Sequence, residues 1–269
     1  MYKAEPCRPD FIGIGAQRGA TTWLFDCLDG HADVYVPTVK EVHYFDENYE
    51  RGWQWYEDHF ADAAQNQLVG EITPNYLDHH DSAQRIAKDC PSAKLFVVLR
   101  EPVSRAISSY ELLGHRFTEN SFEEACQPGR YLVDLGLYAK HLKRFFQYFD
   151  RDQIKIMLFD DVVSKPECVL QELSTFLGVS RLETPQLTKR VNSVVFPRAQ
   201  RMAEAVGLNP IIEFAKKSSL EKPIRNIADL VRRRKRSIEV DHSTVHAYFR
   251  DDILELEKLI DRDLSSWLH

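Results

Sequence analysis

A chain of 269 residues with 43% hydrophobic content can bury a substantial core, and it fits a single large α/β domain spanning 1–269. Its net charge of -6 excludes an overall field that attracts nucleic acid, so any anion site must come from a local concentration of cations. No apolar run approaches the ~20 residues that cross a bilayer, and the amino terminus MYKAEPCRPD has no hydrophobic signal core, so the expectation is a cytoplasmic chain with no membrane partner.

The first element is DFIGIGAQRGATTWLFDCL, residues 10–28: an apolar strand at 11–15, a turn of small and basic residues, and an amphipathic helix at 21–29. Phe11, Ile12 and Ile14 suit a strand buried in a parallel sheet. Gly15, Gly19 and Ala20 let the backbone approach a ligand, and Thr21, Thr22 and Trp23 open the helix. The free amides of that first turn, the helix dipole and Arg18 can together hold an anion. The loop lacks the lysine and hydroxyl of a GxxxxGK[ST] phosphate loop in register. A tight strand-to-helix connection without a ligand is the competing reading of the same residues.

Short strands at 34–36 and 67–71 follow, with helices at 52–60 and 81–89. In the segment TVKEVHYFDE, Glu41 and His43 are two apart, so an extended backbone points them the same way with Val42 opposite. They are candidate proton acceptors; alternatively Glu41 pairs with Lys40 and His43 is a satisfied, partly buried imidazole. KLFVVLREPVSRAISSY, residues 94–110, repeats the strand–turn–helix order, with Pro102 suited to the first helical turn. Arg100 lies at the strand's carboxyl end, where open α/β sheets bind ligands. With Ile107 toward the core, Ser104 and Ser108 share a neighbouring face, and Ser108 can donate to an anion that Arg100 also grips. Arg100 as a surface charge partnered by Glu101 is the plain alternative.

The remaining pattern predicts helices at 102–114, 134–149, 166–177 and 243–264 and a strand at 154–158. The last helix carries an apolar stripe of Ile253, Leu254, Leu256, Leu259 and Ile260. Between 180 and 240, Pro185, Pro197, Pro210 and Pro223 interrupt short helical patterns, and the strongest cationic run, Arg232 to Arg236, lies there. Cys7, Cys27, Cys90, Cys126 and Cys168 are scattered without CxxC or Cys/His spacing, which predicts free thiols, mostly buried, and no structural metal.

The two strand–turn–helix elements, with KEVHYFDENYERGWQWYEDHF, GEITPNYL, LGLYAKHLKRFFQYF and AYFRDDILELEKLIDRDLSSWL in order, resemble the PAPS-dependent sulfotransferases. The likeness is greatest to the heparan sulfate and bacterial branch and runs from about Phe11 to Trp267. It implies a three-layer, P-loop-like α/β fold whose central, mostly parallel sheet of about five strands is flanked by helices. It implies direct in-line transfer of a sulfonate from PAPS, a co-substrate, with no metal. The acceptor is then a hydroxyl or amine of a small molecule or saccharide, a natural-product alcohol included, and PAP is released.

By the same resemblance, Arg18, Gly19, Ala20, Thr21, Thr22 and Trp23 form the 5′-phosphosulfate loop, and Arg100 with Ser108 the 3′-phosphate site. Tyr138 matches an aromatic near the cofactor, and Lys235 and Arg236 belong to a basic loop over the 3′-phosphate. Glu41 matches the catalytic base, with Arg18, His43 and Lys40 around it; His43 orients the acceptor or shares the proton. The chain departs from the family at two cations. Arg18 stands where a lysine is usual; it grips phosphate bidentately but is a poor proton donor. Ile72 in GEITPNY stands where the family's GEKTPAY has a lysine. Lys40 restores that charge if it points inward, which the alternation of strand neighbours leaves open. Two rival readings are a non-catalytic nucleotide-binding protein of the same fold and a P-loop kinase-like phosphotransferase. The second lacks its lysine and an acidic metal ligand after a strand. No motif sets the acceptor or the oligomeric state.

Overall fold

Five short apolar segments form one parallel sheet: β1 Phe11–Gly15, β2 Val34–Tyr35, β3 Leu68–Ile72, β4 Lys94–Leu99 and β5 Ile154–Leu158, in the spatial order β2-β3-β1-β4-β5. The computed structural model describes residues 8–113, 119, 121–184 and 242–268; the run Arg232 to Arg236, with Lys235 and Arg236, and the prolines from Pro185 to Pro223 lie outside the described residues. Among the described residues the helices are α1 Thr21–Asp29, α2 Trp53–Glu57, α3 Ser82–Asp89, α4 Pro102–Leu113, α5 Phe122–Ala125, α6 Tyr131–Asp134, α7 Tyr138–Phe145, α8 Phe159–Ser164, α9 Pro166–Leu177 and α10 His242–Ile260.

A sheet covered on both faces needs strands that are apolar on both sides, and these are. Phe11, Phe96, Val98 and Met157 share one core with Leu24 and Leu28 of α1 and Leu170 and Leu173 of α9. The alternating residues Ile12, Ile14, Leu95, Val97 and Leu99 are fully buried as well. The three-layer α/β arrangement and the parallel sheet agree with the expectation from sequence. No helix among the described residues is long and apolar enough to cross a membrane. Cys27, Cys90 and Cys126 are buried free thiols and Cys168 is an exposed one.

Three helix expectations change. The helix at 52–60 is a 3₁₀ turn at Tyr49–Arg51, then α2, then a second 3₁₀ turn at Asp58–Phe60; Gly52, at φ 82, separates the first two. The helix at 134–149 is two helices, α6 and α7, broken around Gly136. A Cβ there would lie 2.6 Å from the Phe249 ring and 3.2 Å from Pro102, so the break admits the close approach of α10 and α4. The final helix stops at Ile260, where Asp261 turns to φ 51.

Sheet order positions the site. β1 pairs with β3 on one side and β4 on the other. The chain leaves β1 toward β2 on one side of the sheet and leaves β4 toward β5 on the other, so a crevice opens where the two connections part. Arg18 and Arg100 both follow the strands that flank it.

Candidate active site

The loop after β1 is tied down by backbone contacts. Ala16 N–H donates to Val98 O at 3.0 Å and Gly19 N–H to Ala16 O at 2.9 Å. A Cβ on Gly19 would meet Val98 O at 2.3 Å, so only glycine lets the loop lie this close to β4. Arg18 and Ala20 adopt left-handed backbone at φ 69 and 67. The first helical bond of α1 runs from Leu24 N–H to Ala20 O at 3.1 Å, and Ala20 offers no capping side chain. The amides of Thr21, Thr22 and Trp23 are thus left without a helical or capping acceptor, at the positive end of the helix dipole.

Two cations converge on these amides from separate strands. Arg18 Nε–H donates to Ser108 Oγ at 2.9 Å, which ties the β1 loop to α4. Arg100 reaches Arg18 O at 3.5 Å and stacks over the Phe159 ring at 4.6 Å. Glu101 does not neutralise Arg100: it caps α4, accepting Val103 N–H at 2.7 Å and Ser104 N–H at 2.6 Å. Desolvation and then repulsion from Arg100 push the Arg18 guanidinium below its ordinary value. Neither arginine has an ion pair among the described residues, Glu111 acting on Arg18 only at longer range, and this concentration of positive charge beside open amides fits a bound phosphate or sulfonate. Tyr138 is fully buried, and its hydroxyl donates to Arg100 O at 2.8 Å, so it acts on the site through Arg100 instead of facing a ligand.

The segment around Glu41 is not the extended strand expected from sequence. Glu41 and His43 are both left-handed, at φ 65 and 56. Their side chains still meet, because two such residues around buried Val42 curl the backbone: Glu41 Oε2 lies 3.8 Å from His43 Nε2. Lys40 does point inward; its Nζ donates to Glu41 Oε1 and its side chain is only 11% exposed. His43 Nδ1 is 2.8 Å from Asp46 Oδ2. The result is a row of alternating charge: Lys40, Glu41, His43, Asp46.

That row sets the protonation states. The protonated His43 ring, ahead of Lys40, holds the Glu41 carboxyl down to about 2 against the upward push of burial. Asp46, then Glu41, raise His43 to about 10. Burial instead pushes fully buried His141 down to about 4. Nuclear magnetic resonance of the ring protons should therefore show His43 charged through neutral pH and titrating near pH 10. His141 should be neutral down to about pH 4. The stability His43 contributes is full below its ordinary value of 6.5 and lost as pH rises through about 10. A His43 resonance titrating near 6.5 would show that the ring is not held between the two carboxylates.

The curled turn hangs from the sheet. His43 N–H donates to Thr73 Oγ1 at 3.3 Å, and Thr73 N–H donates to Gly13 O, the middle residue of β1, at 3.0 Å. Tyr44 N–H donates to the Tyr76 hydroxyl at 2.9 Å, and the Tyr44 ring stacks on Tyr56 at 4.4 Å. Arg85 donates to Phe45 O and Asp46 O, each at 3.0 Å. Ile72 is buried in the sheet at 1% exposure and takes no part. Asp46, Thr73 and Tyr76 were not singled out by sequence reasoning, although HYFDE and GEITPNYL contain them. Their signal is a set of hydroxyl and carboxyl groups inside otherwise apolar segments.

Residues 8–206 match the sulfotransferase domain family. Heparan sulfate glucosamine 3-O-sulfotransferase 3A1 of Mus musculus is 35% identical over 186 residues, covering 65% of this chain and 47% of that protein. The chain thus spans about half the length of the curated relatives it matches. A solved sulfotransferase from Alicyclobacillus acidocaldarius superimposes with a TM-score of 0.69 at 27% identity, covering 98% of this chain and 100% of that one. The sulfotransferase domain from the curacin biosynthetic pathway has the same fold, with a TM-score of 0.50 at 18% identity over 64% of this chain and 75% of that one.

Proposed function

Because this chain belongs to the sulfotransferase domain family, we propose that it transfers a sulfonate from PAPS to a hydroxyl or amine of a saccharide or small-molecule acceptor. One observation supports this most: two arginines with no ion pair among the described residues stand beside open helix amides in the connections that follow β1 and β4, while Glu41 lies in a turn whose His43 amide is tied to β1 through Thr73. PAPS supplies the activated sulfonate when bound. The amides of Thr21 to Trp23 and Arg18 would hold its 5′ end, and Arg100 and Ser108 its 3′-phosphate.

Glu41 takes the proton from the acceptor oxygen or nitrogen as that atom attacks. At a folded value of about 2 it is ionised across the physiological range. His43 already carries both ring protons, so it orients and donates instead of accepting. Lys40 supplies a cation beside the reacting groups where Ile72 offers none.

Two measurements test the reading. PAP at about 100 times its dissociation constant should stabilise the fold by about 2.7 kcal/mol without magnesium, seen as a raised melting temperature. Labelled PAPS should then pass its sulfonate to a member of a panel of saccharides, natural-product alcohols and amines. Stabilisation by PAP without transfer to any panel member would favour a non-catalytic nucleotide-binding protein. Stabilisation only with magnesium and a nucleoside triphosphate would favour a phosphotransferase.

A further inference from the structure

Glu71 sits inside β3 at 1% exposure, and the proposed mechanism does not use it. Its hydrogen-bond partners are three hydroxyls: Tyr76 donates to Oε1 at 2.6 Å, Tyr56 to the same oxygen at 3.2 Å, and Thr73 to Oε2 at 2.7 Å. None of these is a cation, so the carboxyl is buried at a cost that packing alone does not explain.

The polarity of the network gives a reason. Burial raises the Glu71 carboxyl to about 7, and in its ionised form it only accepts, so each hydroxyl then turns its single proton inward to Glu71 and its lone pairs outward. Two of those hydroxyls then accept backbone amides of the curled turn: Thr73 from His43 at 3.3 Å and Tyr76 from Tyr44 at 2.9 Å. Those are the residues at the end of the turn whose left-handed backbone brings Glu41 and His43 together. An apolar or donating side chain at position 71 frees the hydroxyls to rotate and leaves both amides competing for acceptors.

We propose that Glu71 is a positioning residue that fixes the Glu41–His43 turn through the Thr73 and Tyr76 hydroxyls. The inference rests on the reading of Glu41 as the general base. Glu71 touches neither the acceptor nor the nucleotide; its effect is on where the base stands.

Glu71→Gln, Thr73→Val and Tyr76→Phe test this in the full-length protein. All three should bind PAP within about threefold of wild type, while the single-turnover rate falls by about 10- to 100-fold from misplacement of the base. The Glu71→Gln/Thr73→Val pair should lose far less than the product of the single losses, because both cut one connection. Independently of activity, hydrogen exchange at the amides of His43 and Tyr44 should accelerate in Glu71→Gln. Wild-type rates and wild-type exchange in the folded variants overturn the proposal, as do fully multiplicative losses in the pair. Tyr76→Phe removes a single oxygen and keeps the test available if Glu71→Gln does not fold. Absence of sulfonate transfer by the wild type overturns the proposed function instead, and the exchange measurement still decides the role of Glu71.

Discussion

Glu41→Gln is expected to lower the single-turnover rate of sulfonate transfer by about 10²- to 10⁴-fold while barely changing PAP affinity. The amide keeps the shape of the side chain and can still accept from Lys40, but it cannot take up a proton. The turn supports this assignment in two ways. Residues 41 and 43 occupy left-handed backbone that favours glycine, and non-glycine residues persist there at a cost of about 1–3 kcal/mol each when surrounding contacts hold them. His43, raised to about 10, is already charged at neutral pH and has no free lone pair to act as a base. His43→Ala should therefore reduce the rate less and chiefly raise the acceptor KM. It should also let the Glu41 carboxyl rise from about 2, since the ring is the largest influence holding it down. If Glu41→Gln stays within about threefold of wild type and His43→Ala loses the general-base factor, the histidine is the base. Transfer from pre-bound PAPS is the appropriate assay, because slow product release can conceal a loss in the chemical step.

Arg100→Ala is expected to weaken PAP binding by about 1.5 to 3 kcal/mol, or about 10- to 150-fold, measured by isothermal titration. Ser108→Ala should cost about 0.5 to 1.5 kcal/mol, as for a neutral hydroxyl contact. The Ser108 hydroxyl also accepts Arg18 Nε–H, so its removal loosens the first cation as well as the proposed 3′-phosphate contact. Arg100→Lys should not restore affinity fully, since an ammonium lacks the planar fork and its stacking on Phe159. Unchanged affinity in a folded Arg100→Ala protein would remove Arg100 from the nucleotide site.

Elements that depend on local pattern were legible in the sequence. The apolar runs at 11–15, 94–99 and 154–158 match β1, β4 and β5 residue for residue, because a strand buried on both faces needs nothing beyond local apolarity. The loop and α1 followed from small residues between such a strand and an amphipathic helix. The turn at Glu41 was not legible: left-handed backbone in a glutamate and a histidine has no local signature and is fixed by Thr73, Tyr76 and Arg85, at least thirty positions away. The direction of Lys40 depended on that turn and stayed open for the same reason. Glu101 illustrates the limit on charge pairing, since its capping of α4, and not its proximity to Arg100, decides its partner. The break at Gly136 reflects a ring on α10, more than a hundred residues later, that no helical periodicity could reveal.

The left-handed residues also bear on how this protein can be engineered. Of the five non-glycine residues with positive φ among those described, Arg18, Ala20, Glu41 and His43 belong to the anion loop and the base turn. Glycine or asparagine at such positions relieves steric cost, partly offset for glycine by the greater freedom of its unfolded chain. A library selected for heat resistance alone would accordingly find gains at the proposed base and anion-binding positions, and its winners would drift toward inert proteins. Screening for thermal tolerance needs a concurrent demand for turnover, or a restriction to positions outside these two turns.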